Sequence, residues 1–363
     1  MIKEEDKFYI RKTFDLALKG KFTVHPNPMV GAIIVKNKKI ISRGFHKHPG
    51  SPHAEQVAIR KAGDNVKNST LYVNLEPCCH YGRTPPCLDL IIQKKISRVV
   101  ISSIDPNPLV NGFSIKQLRK AGIEVKINVL KKEAVHLNKK FFSKFINKRP
   151  FITAKAGISL DGKISLSNGI SQWITSNDSR IDVQKERAAS SLILTSSNTI
   201  LADNPKMTVR DKLLKQKILK QPDVAILDSN LRIPLSHNIF SDENRNIYLF
   251  TNKKNTKKKY KSNVFIISNM ADNDKIDIKK CIKYLASQEI NNIFIESGPK
   301  VVESFLKLKL IDELLLYIAP IIIGHTGKNF SGVSYITKLS KKIKFTINDM
   351  ISIGNDLKVR MVK

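Results

Sequence analysis

SPHAEQVAIRKAG (residues 51–63) and LEPCCHYGRTPPC (residues 75–87) decide how this chain is read. The first places a histidine and a glutamate two residues apart at what reads as a helix start; the second places cysteines in a loop bracketed by prolines. Residues two apart on an ideal helix point to nearly opposite sides, so both side chains can approach one ion only if His53 sits at the very first turn. Ser51 as N-cap, with Pro52 just inside, predicts that placement. Cys87 follows Pro85 and Pro86 and is also expected at a helix start, where unpaired N–H groups and the helix dipole favour a thiolate.

His53, Cys78 and Cys87 form a donor set suited to catalytic zinc, which takes three protein ligands and keeps a fourth position for water. Zinc lowers the pKa of that water towards neutrality. Glu55 then has a task as general acid–base, taking a proton from the water and returning it to a leaving amine. Zinc deaminases carry such a His-x-Glu followed by a Pro-Cys pair, the glutamate not being a ligand. Here "HAE" matches the first half and "PC" begins the second, but eight residues rather than two separate Cys78 from Cys87. The alternative is a closed structural site with Cys79 as fourth ligand, which would leave Glu55 without a role. His25, His46, His48 and His80 also stay open as ligands, though each reads more simply as a pocket or bystander residue.

Around this constellation the chain reads as two α/β domains. Residues 4–19 predict a helix, 30–35 and 39–45 a hairpin turning at Lys36 to Lys38, and 69–75 a strand before the cysteine loop. A helix is expected from about Pro86 to Lys95, then strands in 97–105 and 123–130 with a helix between, the domain ending near residue 130. The basic segment 131–150, closed by Pro150, reads as a helical connector. A second alternation follows, with strand-like runs at 151–164, 191–196, 224–229, 246–251, 263–268, 292–297 and 313–323, and helices at 177–189 and 300–310. That alternation predicts covered sheets, and no internal repeat links the halves.

Composition narrows the class. A length of 363 residues exceeds what a single core ordinarily holds. No apolar run reaches the roughly 18 residues of a membrane span, and the N-terminus has no apolar signal core, so a cytoplasmic protein is expected. Of the 4 cysteines, three fall between residues 78 and 87, which fits a local metal site in a reducing compartment better than a disulfide framework. The net charge of +32 suggests nucleic acid at first sight. Most of the 63 basic residues are, however, lysines scattered along the chain, and the dense run NKKNTKKKYK (252–261) lacks the interleaved aromatics used for stacking on bases and reads as a solvated loop. A nucleic-acid-editing deaminase or basic RNA-binding protein is therefore the rival reading; it predicts salt-dependent RNA binding and leaves the second domain without a task.

Taken together, HPNPMVGAIIV (25–35), HAE (53–55), LEPCCHYGRTPPC (75–87) and DPNP (105–108) resemble the deaminase half of the bifunctional riboflavin-biosynthesis deaminase–reductases, whose zinc motif has this long loop. The second half is similar to the reductase of that family through KAGISLDGKI (155–164), SQWIT (171–175), DVQKERA (182–188), TILADNPKMTVR (199–210), LDSNLRIP (227–234) and the stretch 295–324. The resemblance implies a cytidine-deaminase-like three-layer domain over 1–146 and a dihydrofolate-reductase-like α/β domain over 147–363. It implies zinc on His53, Cys78 and Cys87, proton transfer by Glu55 and a pyrimidine contact from Asn27. In the reductase it implies Gly157, Trp173, Thr199, Asp203, Gly298 and Pro299 along NADPH, and Ser171, Arg187, Met207, Arg210 and Glu296 around a sugar-phosphate substrate.

Chemistry supports part of this set. Arg187 and Arg210 can fork onto phosphate oxygens, and the Glu296–Lys300 turn offers N–H groups at a helix start. The dull alternatives are Trp173 in a core, Asp203 as a turn residue and the glycines as loop hinges. Lys300, Ser114 and Cys79 depart from the family pattern, which has Thr, Gly and Ser there. The implied activity is hydrolytic deamination of 2,5-diamino-6-ribosylamino-4(3H)-pyrimidinone 5′-phosphate, then NADPH-dependent reduction of ribosyl to ribityl. A small-molecule substrate, no nucleic acid, no membrane and a homo-oligomer are the expected partnerships.

Overall fold

Strand β1 (Gly31–Lys36) has five consecutive buried residues, which requires cover on both faces of its sheet. Alternation divides them: Ile33 and Val35 pack with Tyr72 and Val100 against Tyr9, Ile10 and Leu16 of helix α1 (Glu4–Leu18), and Ala32 and Ile34 face the opposite layer. That layer is built from α2 (Ala54–Ala62), α3 (Cys87–Gln93) and α4 (Phe113–Lys120). The sheet between them has the order β2-β1-β3-β4-β5, with β2 at Lys39–Phe45, β3 at Thr70–Val73, β4 at Arg98–Ile101 and β5 at Glu124–Lys126. β1 pairs antiparallel with β2 and β3, and β3, β4 and β5 run parallel. The hairpin turns at Asn37 and Lys38, both at positive φ, as a two-residue primed turn requires. The computed structural model describes residues 3–81, 85–254, 257–268, 270–272, 275–333 and 336–363, so Gly82 to Thr84 of the cysteine loop and two residues of the lysine run lie outside it.

The chain divides into two compact units, Met1–Lys148 and Arg149–Lys363. The expected end of the first α/β element set near residue 130 is too early. Two further helices, α5 (Lys131–Leu137) and α6 (Lys139–Ile146), belong to this unit, and the expected single connector helix is interrupted at Asn138. Asn138 is buried, accepts from the Met29 N–H at 2.8 Å and donates to the Met29 carbonyl at 2.9 Å. It fixes the segment that leads from Asn27 into β1.

Two contacts set the frame of the deaminase-like unit. Arg98 on β4 grips Asp6 of α1 with both terminal nitrogens, at 2.8 and 2.9 Å, and Tyr72 donates to the same carboxylate at 3.1 Å. Burial alone would raise the Asp6 pKa, but Arg98 and Tyr72 hold it below the ordinary value. A depressed folded-state pKa contributes stability above the unfolded-state value, lost as pH falls through the folded-state value. Asp6→Asn is therefore expected to cost about 3 kcal/mol at pH 7 and to flatten the acid limb of a urea-midpoint series below about pH 4. Gly44 on β2 provides the second contact: a Cβ there would lie 2.2 Å from the Ala54 carbonyl and 2.7 Å from the Ala58 N–H. Only glycine lets α2 lie this close. Gly44→Ala should push the helix outward, costing roughly 1–3 kcal/mol and lowering bound zinc as read by metal analysis.

In the second unit a nine-stranded sheet has the order β11-β10-β9-β8-β14-β6-β15-β18-β17. Its parallel members are β6 (Phe151–Ser159), β8 (Leu192–Ser196), β9 (Asp223–Leu227), β10 (Ile247–Phe250), β11 (Val264–Ile267), β14 (Asn292–Ile295) and β15 (Glu313–Ala319). The last stops before Pro320, which cannot donate to a ladder. The reading missed an antiparallel hairpin, β17 (Thr346–Ile353) and β18 (Asp356–Val362), that extends the sheet beside β15. Short pairs complete the strands: β7 (Lys163–Ser165) with β16 (Lys328–Asn329), and β12 (Ala271–Asp272) with β13 (Lys275–Ile276).

One face of the large sheet packs on α10 (Ile278–Ser287) and α11 (Pro299–Lys307) through Ile282, Leu285, Val302 and Phe305. The other packs on α7 (Asn177–Ala188) and α8 (Ser197–Asp203), with the short α9 (Lys212–Lys215) beyond. Consecutive strands β8 to β11 step to one side of β6, and β14 returns between β8 and β6. In α/β sheets ligands bind at the carboxyl ends of the strands where the strand order reverses in this way.

Candidate functional site

In the first unit the site begins where α2 starts. His53 itself is the N-cap, in extended conformation, and the helix runs from Ala54. The expected N-cap Ser51 is instead used within the preceding turn, accepting from the His48 N–H at 3.0 Å and donating to the His48 carbonyl at 2.6 Å. Ending the turn before His53 frees its ring from the helix surface, while Glu55 in the first turn is buried. Cys87 opens α3 as expected, and its N–H donates to the Cys78 sulfur at 3.3 Å.

His53 Nδ1 lies 3.3 Å from Cys78 Sγ and 3.4 Å from Cys87 Sγ, and the three donors all fall within 4.8 Å of one another. A tetrahedral zinc with arms of about 2.0–2.3 Å spaces its ligands about 3.5 Å apart, so this donor set fits the ion. Cys79 is not in the group; its thiol donates to the Leu109 carbonyl at 3.2 Å. The closed four-ligand alternative therefore has no fourth cysteine. The Cys78 thiol is pulled down by hydrogen bonding from Cys87 and by His53, whereas that same bond and burial push Cys87 up. Of the two cysteines it is thus Cys78, not Cys87 as expected, whose thiol is lowered, chiefly by the hydrogen bond from the Cys87 side chain, with His53 next and the helix-start N–H adding least. Glu55 interacts with His53 and with the Cys87 thiol, and burial raises its pKa to about 7.

His46, buried beside His53 with ring centroids 5.3 Å apart, faces the Pro52 carbonyl through Nδ1 at 3.4 Å and Asn27 Nδ2 through Nε2 at 2.9 Å. Burial brings its pKa down to about 4, so the ring is neutral near pH 7. A proton on Nδ1 facing the carbonyl makes Nε2 an acceptor, which orients the Asn27 amide and leaves its oxygen for a ligand. Glu76 is a residue that the sequence reading passed over. Its buried carboxylate accepts from the N–H groups of Gly112, Asp105 and Ile115 at 2.9, 3.3 and 3.4 Å. Ser114 donates to the Pro77 carbonyl at 2.6 Å, so the departure there adds a tie behind the cysteines.

The second cluster lies at the carboxyl ends of β6, β14 and β8. Gly157 on β6 allows the 166–176 loop to approach: a Cβ there would be 3.2 Å from Thr175. Trp173 in that loop is 66% exposed, with the Arg180 guanidinium 4.2 Å from its ring centroid, so it is not a core residue. Ser171 is half-buried in the same loop. Thr199 in α8 meets Ser196 at 3.3 Å and Ser297 at 3.5 Å, and Ser297 donates to Ser196 at 3.0 Å. Asp203 closes α8 as its last residue, and burial raises its pKa. Gly298 is the N-cap of α11 and Pro299 its first residue; no side chain caps the helix, and a Cβ on Gly298 would meet nothing within 4 Å. Three hydroxyls beside uncapped helix amides under open space fit a dinucleotide phosphate.

Arg187 departs from its expected use. Its guanidinium forks onto Glu296 at 2.6 and 2.8 Å and donates to the Thr208 carbonyl at 3.1 Å, so the bidentate face expected to hold phosphate is occupied by a carboxylate. Arg210 is exposed and close enough to Glu296 to lower its pKa. The Met207 side chain packs with Ile193 and Ile200 in a core cluster and its carbonyl accepts from Arg245 at 2.7 Å, so of its polar groups only the N–H can be offered to a ligand. Lys155 was not anticipated: burial lowers its pKa, with Glu296 opposing and Arg187 adding to the effect, so it joins this charged group.

Residues 3–103 match the family model of the cytidine and deoxycytidylate deaminase zinc-binding region, and residues 150–359 that of the RibD C-terminal domain. The chain is 42% identical over 369 residues to the riboflavin biosynthesis protein RibD of Buchnera aphidicola, and 38% identical over 366 residues to that of Escherichia coli, each alignment covering 99% of both chains. Among solved structures it is similar to Acinetobacter baumannii RibD, with a TM-score of 0.90 at 32% identity and 99% of both chains covered. It is also similar to the diaminohydroxyphosphoribosylaminopyrimidine deaminase/5-amino-6-(5-phosphoribosylamino)uracil reductase of Thermotoga maritima, with a TM-score of 0.88 at 34% identity and the same coverage. Two family models in order and relatives of this identity along nearly the whole length mean that the chain belongs to the RibD family of riboflavin biosynthesis proteins.

Proposed function

We propose that the chain performs two successive steps of riboflavin biosynthesis, hydrolytic deamination of 2,5-diamino-6-ribosylamino-4(3H)-pyrimidinone 5′-phosphate in residues 1–146 and reduction of the product's ribosyl group to ribityl in residues 147–363. The observation that carries the reading is the convergence of His53, Cys78 and Cys87 beside buried Glu55, in a chain whose other half is a reductase of the same family. Zinc, when bound by His53, Cys78 and Cys87, supplies a Lewis acid that activates water. Glu55 receives a proton from that water and delivers it to the departing amine. Asn27, oriented by His46, offers its amide oxygen to the pyrimidine.

In the second unit NADPH, when bound, supplies the hydride for the sugar. Gly157, Trp173, Thr199, Asp203, Gly298 and Pro299 line its path, while Ser171, Met207 and Arg210 hold the sugar phosphate. Arg187 and Glu296, paired with each other, position that substrate as a unit beside Lys155.

Among the described residues no helix is long and apolar enough to cross a membrane, and we place the enzyme in the cytoplasm. Nucleic acid is not a proposed partner, because the lysines are dispersed and Lys258 of the dense run is tied to protein carbonyls. A homo-oligomer is favoured by the edge strand β17, whose Ile347 and Met350 are exposed; light scattering at low micromolar concentration tests it. The activity is tested by giving the zinc-loaded protein the diamino substrate and NADPH while following ammonia and NADPH together. Ammonia release followed by NADPH oxidation supports both assignments, and ammonia without NADPH loss overturns the reductase. If neither changes, RNA binding against salt becomes the next measurement.

A further inference from the structure

We propose that Arg245, buried just before β10, is a positioning residue for the reductase: it turns the N–H groups of Met207 and Thr208 toward the substrate's phosphate. The inference rests on the placement of the sugar phosphate at Met207 and Arg210 given above. Arg245 is 2% exposed, and its fork closes on main-chain oxygens. Nη1 donates to the Met207 carbonyl at 2.7 Å, and Nη2 to the Lys206 carbonyl at 2.6 Å and the Ile239 carbonyl at 3.3 Å. Burial brings its pKa down to about 10; Asp242 and Asp223 oppose that effect, but among the described residues neither hydrogen-bonds to it. A buried cation without a paired carboxylate is an expensive way to hold a loop, so what it orients is the question.

The Lys206 and Met207 carbonyls belong to the peptide units whose other ends are the N–H groups of Met207 and Thr208. Both units are trans, and in a planar trans peptide the N–H points opposite to the C=O. Drawing both oxygens onto one guanidinium therefore sends both N–H groups away from it. Neither has a protein acceptor among the described residues, whereas the next two amides are taken: the Val209 N–H donates to Gln221 at 2.7 Å and the Arg210 N–H to Gln184 at 2.8 Å. The two unused amides stand just ahead of Arg210.

Met207 stands at φ 49°, in the left-handed region that a residue with a side chain keeps only when its surroundings hold it there. Successive N–H groups on one side of such a bend make a concavity for an anion. Arg187 takes the following carbonyl, that of Thr208, at 3.1 Å while forking onto Glu296. The strip is thereby fixed by Arg245 from the core and by Arg187 from the group placed at the substrate. The Arg245 charge also polarises the two peptide units it holds, which strengthens their N–H ends as donors.

Initial rates of NADPH oxidation by the full-length, zinc-loaded protein test this, with the deaminated ribosylaminopyrimidine phosphate and with the same compound lacking its phosphate. Wild type is expected to prefer the phosphorylated compound in kcat/KM. Arg245→Met, similar in length and without donors, should raise the KM for that compound about 10- to 100-fold, the size of a misplaced charge-assisted hydrogen bond, and leave kcat within about twofold. Competition by inorganic phosphate should weaken in parallel, while kcat/KM for the unphosphorylated compound and KM for NADPH change less than about twofold. Arg245→Lys, which keeps the charge but not the planar fork, should show a smaller rise confined to the phosphorylated compound; where Arg245→Met does not fold, this variant decides. An unaltered KM for the phosphorylated compound, or equal losses with both compounds, overturns the inference. Wild type without preference for the phosphorylated compound shows that the phosphate is misplaced at Met207 and Arg210, and overturns the inference with that reading.

Discussion

Glu55→Gln is expected to lower ammonia release on the order of 1,000-fold, the range for loss of a positioned general acid–base, and to leave zinc content unchanged. The side chain is buried in the first turn of α2, and the His53, Cys78 and Cys87 donor group does not use it. Glutamine keeps its volume and removes its capacity to carry a proton. Zinc content by metal analysis separates the two roles: loss of zinc with loss of activity would make Glu55 a support of the metal site, and near-wild-type ammonia release would assign proton transfer elsewhere.

The second large effect is expected at Arg187 and Glu296. Their side chains are 12% and 8% exposed and paired through two hydrogen bonds. Removing either partner leaves a buried charge, so Glu296→Ala or Arg187→Ala should destabilise the second unit by about 3–5 kcal/mol. Burial alone would raise the Glu296 pKa; Arg187, Lys155 and Arg210 lower it, so the pair remains charged at neutral pH. Replacing both by leucine should recover most of the urea midpoint, since a buried pair is often no more stabilising than well-packed apolar groups. NADPH oxidation should stay lost. A double variant that regains both stability and reduction would reduce the pair to a structural feature.

How much of this was legible in the sequence follows from distance along the chain. The zinc donors were readable because the pattern is local: a histidine before a helix, a proline-flanked cysteine and a second cysteine at a helix start. The tandem α/β organisation was also readable, since β-branched runs alternated with amphipathic segments. Arg187 and Glu296 are 109 residues apart, and nothing local announces that the guanidinium meets a carboxylate rather than phosphate. Lys155 joins them only after β6 and β14 become neighbours. Asn138 read as part of a connector because its contact, Met29, is 109 residues away. The C-terminal hairpin was missed because β17 is exposed along nearly its whole length and carries no clean alternation. Ser51 preceded a helix as a cap should, yet the turn at His48 claimed its hydroxyl.

The division of labour between the units is tested most directly by giving the Glu55→Gln protein NADPH with either of two substrates. With the diamino compound, NADPH oxidation should be almost absent; with the deaminated ribosylaminopyrimidine phosphate it should proceed at the wild-type rate. Equal oxidation of NADPH with both substrates would contradict the account, because reduction would then not depend on prior deamination at the zinc site.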